Sequence, residues 1–457
     1  MFISLFRQFI KVYLFVQTTG ETNSNGDCME RVILHSDLNS FYANVECFAN
    51  PKIRDSPVVV GGSEDLRNGI ILAKNELAKK FGIVTGEPVW QAKQKCPQLV
   101  SVAPDFEKYL KFSRLARKIY ERYTDQIESF GIDECWLDVT ASTSLFGTGE
   151  QIADEIRTTI KREMGITASV GVSYNKIFAK LGSDMKKPDA TTVITRENYQ
   201  EKVWSLPVGD LLYVGRSTKK KLSRLGIHTI GDLANADLSI LTNNLGAWGV
   251  VLHQFANGKD DSPVKFKGEE SFIKSVGNSM TLHRDVDSIA DVKKVFYLLA
   301  DSVASRLREH GLKASAIQIM IRDNNFISCS RQSTLETPTY LILEIAEMAL
   351  KIFKQKYEFN NPVRSLGIRA TNLKPHNTPL QMDIFTDHAT VLRTELLEQT
   401  IDNVRRRYGY DIINRGIIYE DRKLTGVTPK EDNTIHPVSF FDGKIIQDYD
   451  LKKLYKK

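Results

Sequence analysis

The chain has 457 residues, more than one compact core usually holds, which predicts two to four domains. Its composition, 42% hydrophobic and 26% charged, is that of an ordinary globular protein and excludes global disorder, collagen-like repeats and low-complexity sequence. The net charge is +6, and the segment 264–376 alone carries 17 basic against 12 acidic residues, a local excess of +5. The sequence has no run of about 18 apolar residues, so we expect no membrane-spanning helix.

The cysteines are scattered, odd in number and never spaced as C-x-x-C. They are Cys28, Cys47, Cys96, Cys135 and Cys329. This pattern argues against a disulfide framework and against a structural zinc site. It favours a reducing, cytoplasmic setting.

Residues 1–28 need separate treatment. The opening run MFISLFRQFIKVYLFVQ is apolar and basic like a signal peptide, but Arg7 and Lys11 interrupt it and no small-residue cleavage site follows. The chain restarts at Met29 with a strand-like segment. We therefore expect residues 1–28 to be a disordered leader and Met29 to be the true start.

The first third of the chain alternates short strands and helices. Val32–Leu38 predicts a buried strand, and Asn39 or Ser40 caps the helix that follows. Further predicted elements are strands at Pro57–Gly62, Ile70–Ala73 and Ala168–Ser173, helices at Asn75–Phe81, Glu107–Tyr123, Glu150–Glu163 and Lys176–Met185, and a strand pair within Ile127–Val139. This order is typical of a β-α-β-β-α-β, ferredoxin-like unit in an α+β fold.

The rest of the chain changes character twice. Residues 205–260 predict helices punctuated by glycine turns at Gly215 and Gly226–Gly231, with Trp248 and nearby aromatics filling their core. Residues 272–374 predict an α+β domain. Its expected elements are strands Ala316–Ile321 and Ser365–Asn372 and helices Ala290–Glu309 and Tyr340–Tyr357. A last helix is expected at about His388–Tyr408, before a polar end.

Two carboxylate sites stand out. Asp37 ends an apolar strand, and Asp133-Glu134 lie in a turn between apolar strands. Burying such carboxylates is costly unless a positive charge neutralises them, and a pair of divalent cations can do so. Alternatively, Asp37 caps a helix and the acidic pair only makes a polar hairpin.

A third element is the glycine-bearing strand end and basic helix of Gly171–Pro188. Lysines placed in this way can hold a triphosphate as point charges. The alternative is an ordinary solvated helix face.

Together these segments resemble the Y-family translesion DNA polymerases. His35–Glu46 resembles the first motif of that family, Ser129–Asp138 resembles its S-I-D-E-x-x-L-D motif, and Ser173–Pro188 resembles its S-x-N-K-x-x-A-K…D-x-x-K-P motif. The likeness runs from about Arg31 to Leu373 and is strongest to the bacterial DinB/UmuC branch.

The resemblance implies a right-hand polymerase with a ferredoxin-like palm, small fingers, a helical thumb and an α+β little finger. The implied segments are leader 1–28, palm 31–40 and 106–194, fingers 41–105, thumb 195–262 of helix-hairpin-helix type, linker 263–271, little finger 272–376 and C-terminal tail 377–457.

It also implies a set of site residues. Asp37, Asp133 and Glu134 would be the catalytic carboxylates and would bind two Mg²⁺ ions, with Mn²⁺ as a substitute and the Leu38 carbonyl as a further ligand. Glu134 would be the one usually listed as catalytic. Nucleotide contacts would come from Phe41, Tyr42, Ala73, Lys79 and Lys187, with Tyr42 rejecting a 2′-hydroxyl, and DNA contacts from Gly215, Lys219, Lys220, Lys221 and Gly226.

One segment departs from the family pattern. In polymerase IV-like members a tyrosine that contacts the triphosphate occupies the position of Glu76, and N-E-L-A-K at Asn75–Lys79 is closer to the UmuC-like pattern. A glutamate would repel the triphosphate, so that role is not assigned to Glu76. Lys79 in place of arginine also lacks a bidentate fork.

A short peptide follows the little finger. Gln381-Met382-Asp383-Ile384-Phe385 resembles the Q-x-x-[LIM]-F peptide that docks bacterial polymerases onto the sliding clamp, the replicative beta subunit. Gln381 would be its polar anchor, and Met382, Ile384 and Phe385 its apolar side.

These features predict an error-prone, template-directed DNA polymerase acting in DNA repair and the SOS response, located in the cytoplasm at the nucleoid. Its partners would be primer-template DNA, dNTPs, the clamp and other damage-response proteins, with no membrane. Two alternatives stay open: a non-catalytic DNA- and clamp-binding repair scaffold, and a nucleotidyl cyclase with a similar palm.

Overall fold

The computed structural model describes residues 30–62, 69–269, 273–378 and 387–426, so the predicted leader lies outside the described residues. The strands are β1 Ile33–Leu38, β2 Val58–Gly61, β3 Ile71–Lys74, β4 Val100–Val102, β5 Ile127–Ser129, β6 Glu134–Asp138, β7 Ala168–Ser173, β8 Thr191–Ile194, β9 Ser275–Val286, β10 Leu312–Asp323, β11 Ser328–Thr339 and β12 Val363–Pro375.

The helices are α1 Phe41–Ala49, α2 Glu76–Lys79, α3 Val89–Lys95, α4 Phe106–Tyr120, α5 Thr143–Phe146, α6 Gly149–Met164, α7 Lys176–Met185, α8 Tyr199–Val203, α9 Arg216–Arg224, α10 Ile230–Ala234, α11 Leu238–Leu245, α12 Ala247–Ala256, α13 Ile289–Glu309, α14 Ile342–Lys356, α15 His388–Tyr408, α16 Gly416–Tyr419 and α17 Arg422–Thr425. Within the described ranges, none of these helices is long and apolar enough to cross a membrane.

The chain divides into two compact units. Unit 1 holds the chain up to Asn39 together with Arg114–Lys267, and unit 2 holds Ser40–Ser113 and the chain from Gly268 onward. Unit 1 thus contains most of the segments predicted as palm and thumb. Unit 2 contains most of those predicted as fingers and little finger.

Unit 1 is built on a five-stranded sheet in the order β5-β6-β1-β7-β8. The central strand β1 is antiparallel to both β6 and β7, and all six of its residues are buried. Helix α7 packs against β7 and β1. Gly171 in β7 makes this possible, because a side chain there would collide with the Ala179 carbonyl of α7.

The helices after β8 form the second part of unit 1. Their core includes Val203, Leu222, Ile230, Leu241 and Leu252. The expectation that Trp248 fills this core was wrong: 52% of its surface is exposed. Trp248 lies in the first turn of α12, at the edge of the helix face that buries Gly249, Leu252 and Ala256, and its indole is half in solvent there.

Unit 2 contains two separate sheets. One is three-stranded, β3-β2-β4, and contacts α1; the other is four-stranded, β11-β10-β12-β9, and its core is completed by α13 and α14. The predicted strands within β10 and β12 are confirmed, but both are longer than expected. The exposed edge strand β11, which is largely polar, was not predicted.

The last described helices belong to the core of unit 2. The helix predicted at His388–Tyr408 is confirmed as α15, and α16 and α17 follow it. Arg405 of α15 makes a bidentate ion pair with Asp301 of α13 at 2.8 Å, with both side chains at most 5% exposed. Leu424 of α17 joins the same hydrophobic core. The first part of the predicted tail is therefore an integral layer of this unit.

Candidate metal and nucleotide site

The three predicted metal-binding carboxylates lie at one end of β1 and β6 in unit 1. Asp37 and Glu134 are directly opposite each other in the antiparallel register, so their side chains share a face. The N–H of Leu38 donates to the carbonyl of Asp133 at 3.1 Å, which holds the hairpin end against β1. Sequence positions almost 100 residues apart thus meet in space.

Two lysines of the basic segment reach these carboxylates. Lys180 Nζ lies 3.4 Å from Asp37 Oδ2, 3.1 Å from Glu134 Oε2 and 3.0 Å from an oxygen of Asp184. Lys187 Nζ lies 2.8 Å from Asp37 Oδ2 and 2.9 Å from Asp184 Oδ1. The lysines therefore supply the positive charge that the buried carboxylates require.

Helix α7 places these lysines by its cap and spacing. The Asn175 side chain accepts the N–H of Phe178 at 2.8 Å and fixes the first turn. Lys180 and Asp184 are four residues apart on one helix face, and Lys187 follows the last turn. The cap and the helical period together account for the position of both lysines.

The acidic cluster is electrostatically strained. Burial, and then the neighbouring carboxylates Asp37 and Glu134, raise the pKa of Asp133 to about 7. Burial alone would raise the pKa of Glu134 too, but His35 and Lys180 hold it well below its usual range. Burial opposes the charge of Lys180, yet Glu134, Asp184 and Asp37 together raise its pKa.

The three carboxylates fit a divalent cation, although Asp37 and Glu134 are paired with lysines in this structure. In the described parts of the chain, no set of three or more His, Cys, Asp or Glu side chains is already arranged around a metal position. Glu134 Oε2 is nevertheless buried without a hydrogen-bond partner of good geometry, and burial together with the neighbouring carboxylates raises the pKa of Asp133. Carboxylate oxygens are the hard donors that Mg²⁺-type ions bind, so these three side chains suit such an ion once the lysines move aside.

The sequence interpretation missed His35 and Lys180. The His35 ring is buried, with Nδ1 2.8 Å from Ser183 Oγ and Nε2 3.4 Å from Glu134 Oε2, and burial lowers its pKa. A histidine two positions before Asp37 in an apolar strand was the available signal. For Lys180, the signal was its spacing of four residues from both Lys176 and Asp184.

Arg117 was also missed, because nothing in the sequence places α4 beside the hairpin. Its guanidinium is buried and donates to the carbonyl of Gly131 at 2.9 Å, the carbonyl of Ile132 at 3.3 Å and Ser129 Oγ at 3.1 Å. These groups immediately precede Asp133. Arg117 thus fixes the backbone from which the acidic pair projects.

Four predicted nucleotide contacts lie in unit 2. The Tyr42 ring stacks on Tyr109 with centroids 4.3 Å apart, and Tyr109 in turn donates its hydroxyl to the buried Glu46 at 2.7 Å. Phe41 is buried beside this stack, and Ala73 is partly buried in β3.

The predicted triphosphate contact Lys79 is paired locally. Its ammonium group contacts Glu76 of the same helix, and Glu76 also accepts a hydrogen bond from Ser40 Oγ at 3.2 Å. The glutamate that departs from the family pattern therefore neutralises the neighbouring lysine.

The predicted DNA-binding residues lie on the surface of unit 1. Gly215 is the residue before α9, and Gly226 follows this helix with φ +76°, a backbone that favours glycine. Lys219, Lys220 and Lys221 are exposed on α9. The clamp-like peptide Gln381–Phe385 lies outside the described residues.

The carboxylate cluster gives a pH prediction. The pKa of Asp133 is near 7 in the folded, metal-free protein but about 4 when unfolded, so the folded state holds the extra proton between these values. The contribution of Asp133 to the free energy of unfolding therefore falls as pH rises from about 4 to about 7. Asp133→Asn removes this loss. In the metal-free protein at pH 8, this substitution should raise the free energy of unfolding by on the order of 1–4 kcal/mol.

Urea unfolding in EDTA at pH 5 and pH 8 measures this effect. Asp125→Asn, at an exposed aspartate of the same unit, is the matched control and should leave the pH dependence unchanged. If the free energy of unfolding depended on pH equally in wild type and Asp133→Asn, the raised pKa of Asp133 would be refuted.

Three family models match the chain. The impB/mucB/samB family model matches residues 36–184, the model of that family's C-terminal domain matches residues 273–384, and a DNA polymerase-iota thumb-domain model matches residues 209–260.

Full-length relatives agree with these matches. DNA polymerase IV of Acetivibrio thermocellus is 53% identical over 399 residues, which cover 87% of this chain and 100% of that protein. DNA polymerase IV 1 of Bacillus subtilis (strain 168) is 37% identical over 405 residues, which cover 88% of this chain and 97% of that protein. A solved Y-family DNA polymerase chimera of 24% identity has a TM-score of 0.67, over 75% of this chain and 98% of that one.

These findings confirm the predicted family and the right-hand polymerase fold. The UmuC-like interpretation of Asn75–Lys79 concerns single residues and stays a prediction. The chain belongs to the impB/mucB/samB family of Y-family DNA polymerases, together with relatives of the DNA polymerase IV type.

Proposed function

We propose that this chain adds dNMPs to a primer 3′ end and releases pyrophosphate at a site where Asp37, Asp133 and Glu134 hold two Mg²⁺ ions. As a member of its family, it is a DNA-directed DNA polymerase of the translesion type, acts on primer-template DNA and dNTPs, and uses divalent metal. The observation that supports the two-ion site is the convergence of three carboxylates at the end of β1 and β6.

Each residue of the cluster then has a role. Asp37, Asp133 and Glu134 supply carboxylate oxygens, and the Leu38 carbonyl adds a further ligand. When bound, the ions lower the pKa of the primer hydroxyl and neutralise triphosphate charge. Lys187, whose ammonium lies 2.8 Å from Asp37, is near enough to bind triphosphate oxygens as a point charge. Catalysis is mainly positioning and electrostatic stabilisation.

Tyr42 is the residue that would exclude ribonucleotides. Its ring is held by stacking on Tyr109, so it cannot rotate away freely when a 2′-hydroxyl approaches. Phe41, Ala73 and Lys79 would line the rest of the nucleotide pocket, with the contribution of Lys79 reduced by its pairing with Glu76.

DNA is gripped by sequence-independent charge. The segment 195–262 acts as the thumb through Gly215, Gly226 and the exposed lysines of α9, and the segment 272–376, which carries the whole +5 excess, acts as the little finger. The palm comprises 31–40 and 106–194 and the fingers 41–105. Contacts of this kind bind phosphates and carry no base preference.

The clamp peptide is the proposed link to the replication machinery. Its position directly after the little finger supports this role for Gln381, Met382, Ile384 and Phe385. The cytoplasmic, nucleoid location stays a prediction of the same kind.

Primer extension with Mg²⁺ tests the proposed site. Asp37→Asn, Asp133→Asn and Glu134→Gln each remove a metal-binding charge with little change of volume, so single-nucleotide incorporation should fall by about a thousandfold or more. Affinity for primed DNA should stay within about twofold, because phosphate contacts lie elsewhere. Asp125→Asn is the control with full activity.

Wild-type protein that binds primed DNA but incorporates nothing would instead favour the scaffold, and cyclic nucleotide as the product would favour the cyclase.

Substitution of Arg117 tests whether this residue positions the catalytic carboxylates. Arg117→Met should lower kcat by about tenfold with a smaller change of KM for dNTP, because the carboxylates lose their alignment rather than their charge. Arg117→Lys should recover part of the loss, and Arg114→Met, at an exposed arginine of the same helix, should be silent. A change in KM alone, or no change in either constant, would refute the positioning role.

Clamp affinity tests the peptide. Gln381→Ala combined with Phe385→Ala removes the polar and the main apolar anchor and should weaken binding to a bacterial sliding clamp by at least about tenfold in surface plasmon resonance. Primer extension without clamp should not change. Undiminished clamp affinity would show that this peptide is not the docking site.

A further inference from the structure

The thumb segment presents two half-exposed aromatic rings. Tyr213 is 53% exposed and Trp248 is 52% exposed, and their ring centroids lie 5.6 Å apart with planes tilted by 47°. Phe255 lies behind Tyr213, with centroids 6.3 Å apart, and packs on the hydrophobic core of this segment. We call Tyr213 and Trp248 the aromatic pair. Tyr213 reaches the core through Phe255, and both rings of the pair are open to solvent.

The backbone of Tyr213 indicates a role other than folding. Its φ is +69°, in the left-handed region that glycine adopts freely and bulky side chains rarely adopt. A ring at this position strains the turn, and half of the ring surface stays in water. Residues held in such conformations cluster at binding sites.

The aromatic pair borders a strongly basic helix. Gly215, two residues after Tyr213, is the N-cap of α9, which carries Arg216, Lys219, Lys220, Lys221 and Arg224 and no acidic residue. Two carboxylates, Glu128 and Asp260, act on Tyr213, and Glu128 is neutralised by Lys176 at 2.7 Å. Asp260 adds negative charge near Tyr213, so the complementarity to a polyanion comes from α9, which has five basic residues and no acidic one.

We propose that the aromatic pair stacks an unpaired base of single-stranded DNA while the basic groups of α9 bind the adjacent phosphates. Aromatic rings beside a positive track suit this ligand, because charge follows the backbone and every base offers a flat face to a ring. The inference rests on the proposed function, in which this segment grips DNA, and adds a stacking site to it. The contact is independent of base sequence.

Tryptophan fluorescence tests stacking directly. The second half-exposed tryptophan, Trp90, is replaced by phenylalanine as background, and the protein is titrated with a thymidine oligonucleotide. Saturable quenching is expected, and it should vanish in Trp90→Phe/Trp248→Phe. That variant keeps a ring and should keep its affinity within about twofold, whereas Trp248→Leu or Tyr213→Gly should weaken binding by about tenfold. Tyr213→Gly suits the left-handed backbone and is expected to fold.

Salt dependence separates the rings from the lysines. Variants of the aromatic pair should weaken binding at every salt concentration by the same factor. The slope of log Kd against the logarithm of the salt concentration should not change, because stacking releases no counterions. Lys219→Gln with Lys220→Gln should reduce the slope by about one for each phosphate that a lysine no longer neutralises.

Three results would each refute the stacking site: absence of Trp248 quenching, equal quenching by blunt duplex, or a changed salt slope in Tyr213→Gly. Primer extension by the same preparations separates the two claims. Normal extension without quenching refutes only the stacking site, whereas wild type without extension refutes the proposed function.

Discussion

The structure depends on one electrostatic constraint: three carboxylates occupy the same partly buried end of two neighbouring strands. Asp37 and Glu134 face each other across β1 and β6, and burial together with these two carboxylates raises the pKa of Asp133 to about 7. Such a cluster is unfavourable in isolation. Lys180 and Lys187 relieve it in the free chain, and divalent cations with a triphosphate would relieve it in the working enzyme.

The surrounding fold keeps this constraint in place. Gly171 lets α7 approach the sheet, which brings Lys180 to the carboxylates, and Arg117 fixes the carbonyls of the hairpin before Asp133. His35 fills the space behind Glu134 and is tied to α7 through Ser183. The acidic groups are thus held by packing and hydrogen bonds rather than by mutual attraction, which is how an electrostatically strained site persists.

Sequence patterns predicted the elements but only part of the contacts. Buried β1, the acidic hairpin and α7 follow from apolar runs, caps and glycines. Asp37, Asp133 and Glu134 were candidates because they are carboxylates beside apolar strands, and the family resemblance implied their roles. Arg117 could not be found, because its partners are two backbone carbonyls and the Ser129 hydroxyl, and no sequence pattern links these groups to Arg117. Trp248 was misplaced since an aromatic residue in a helical segment is usually buried. Strand β11 was missed because its polar, exposed pattern resembles a loop.

The most direct measurement of the central claim is anomalous diffraction from crystals of the chain with primed DNA, an incoming nucleotide and Mn²⁺. Two manganese peaks coordinated by Asp37, Asp133 and Glu134 are expected, with the lysines moved onto phosphate oxygens. Manganese peaks elsewhere in the chain, with Asp37 and Glu134 still paired to Lys180, would contradict it.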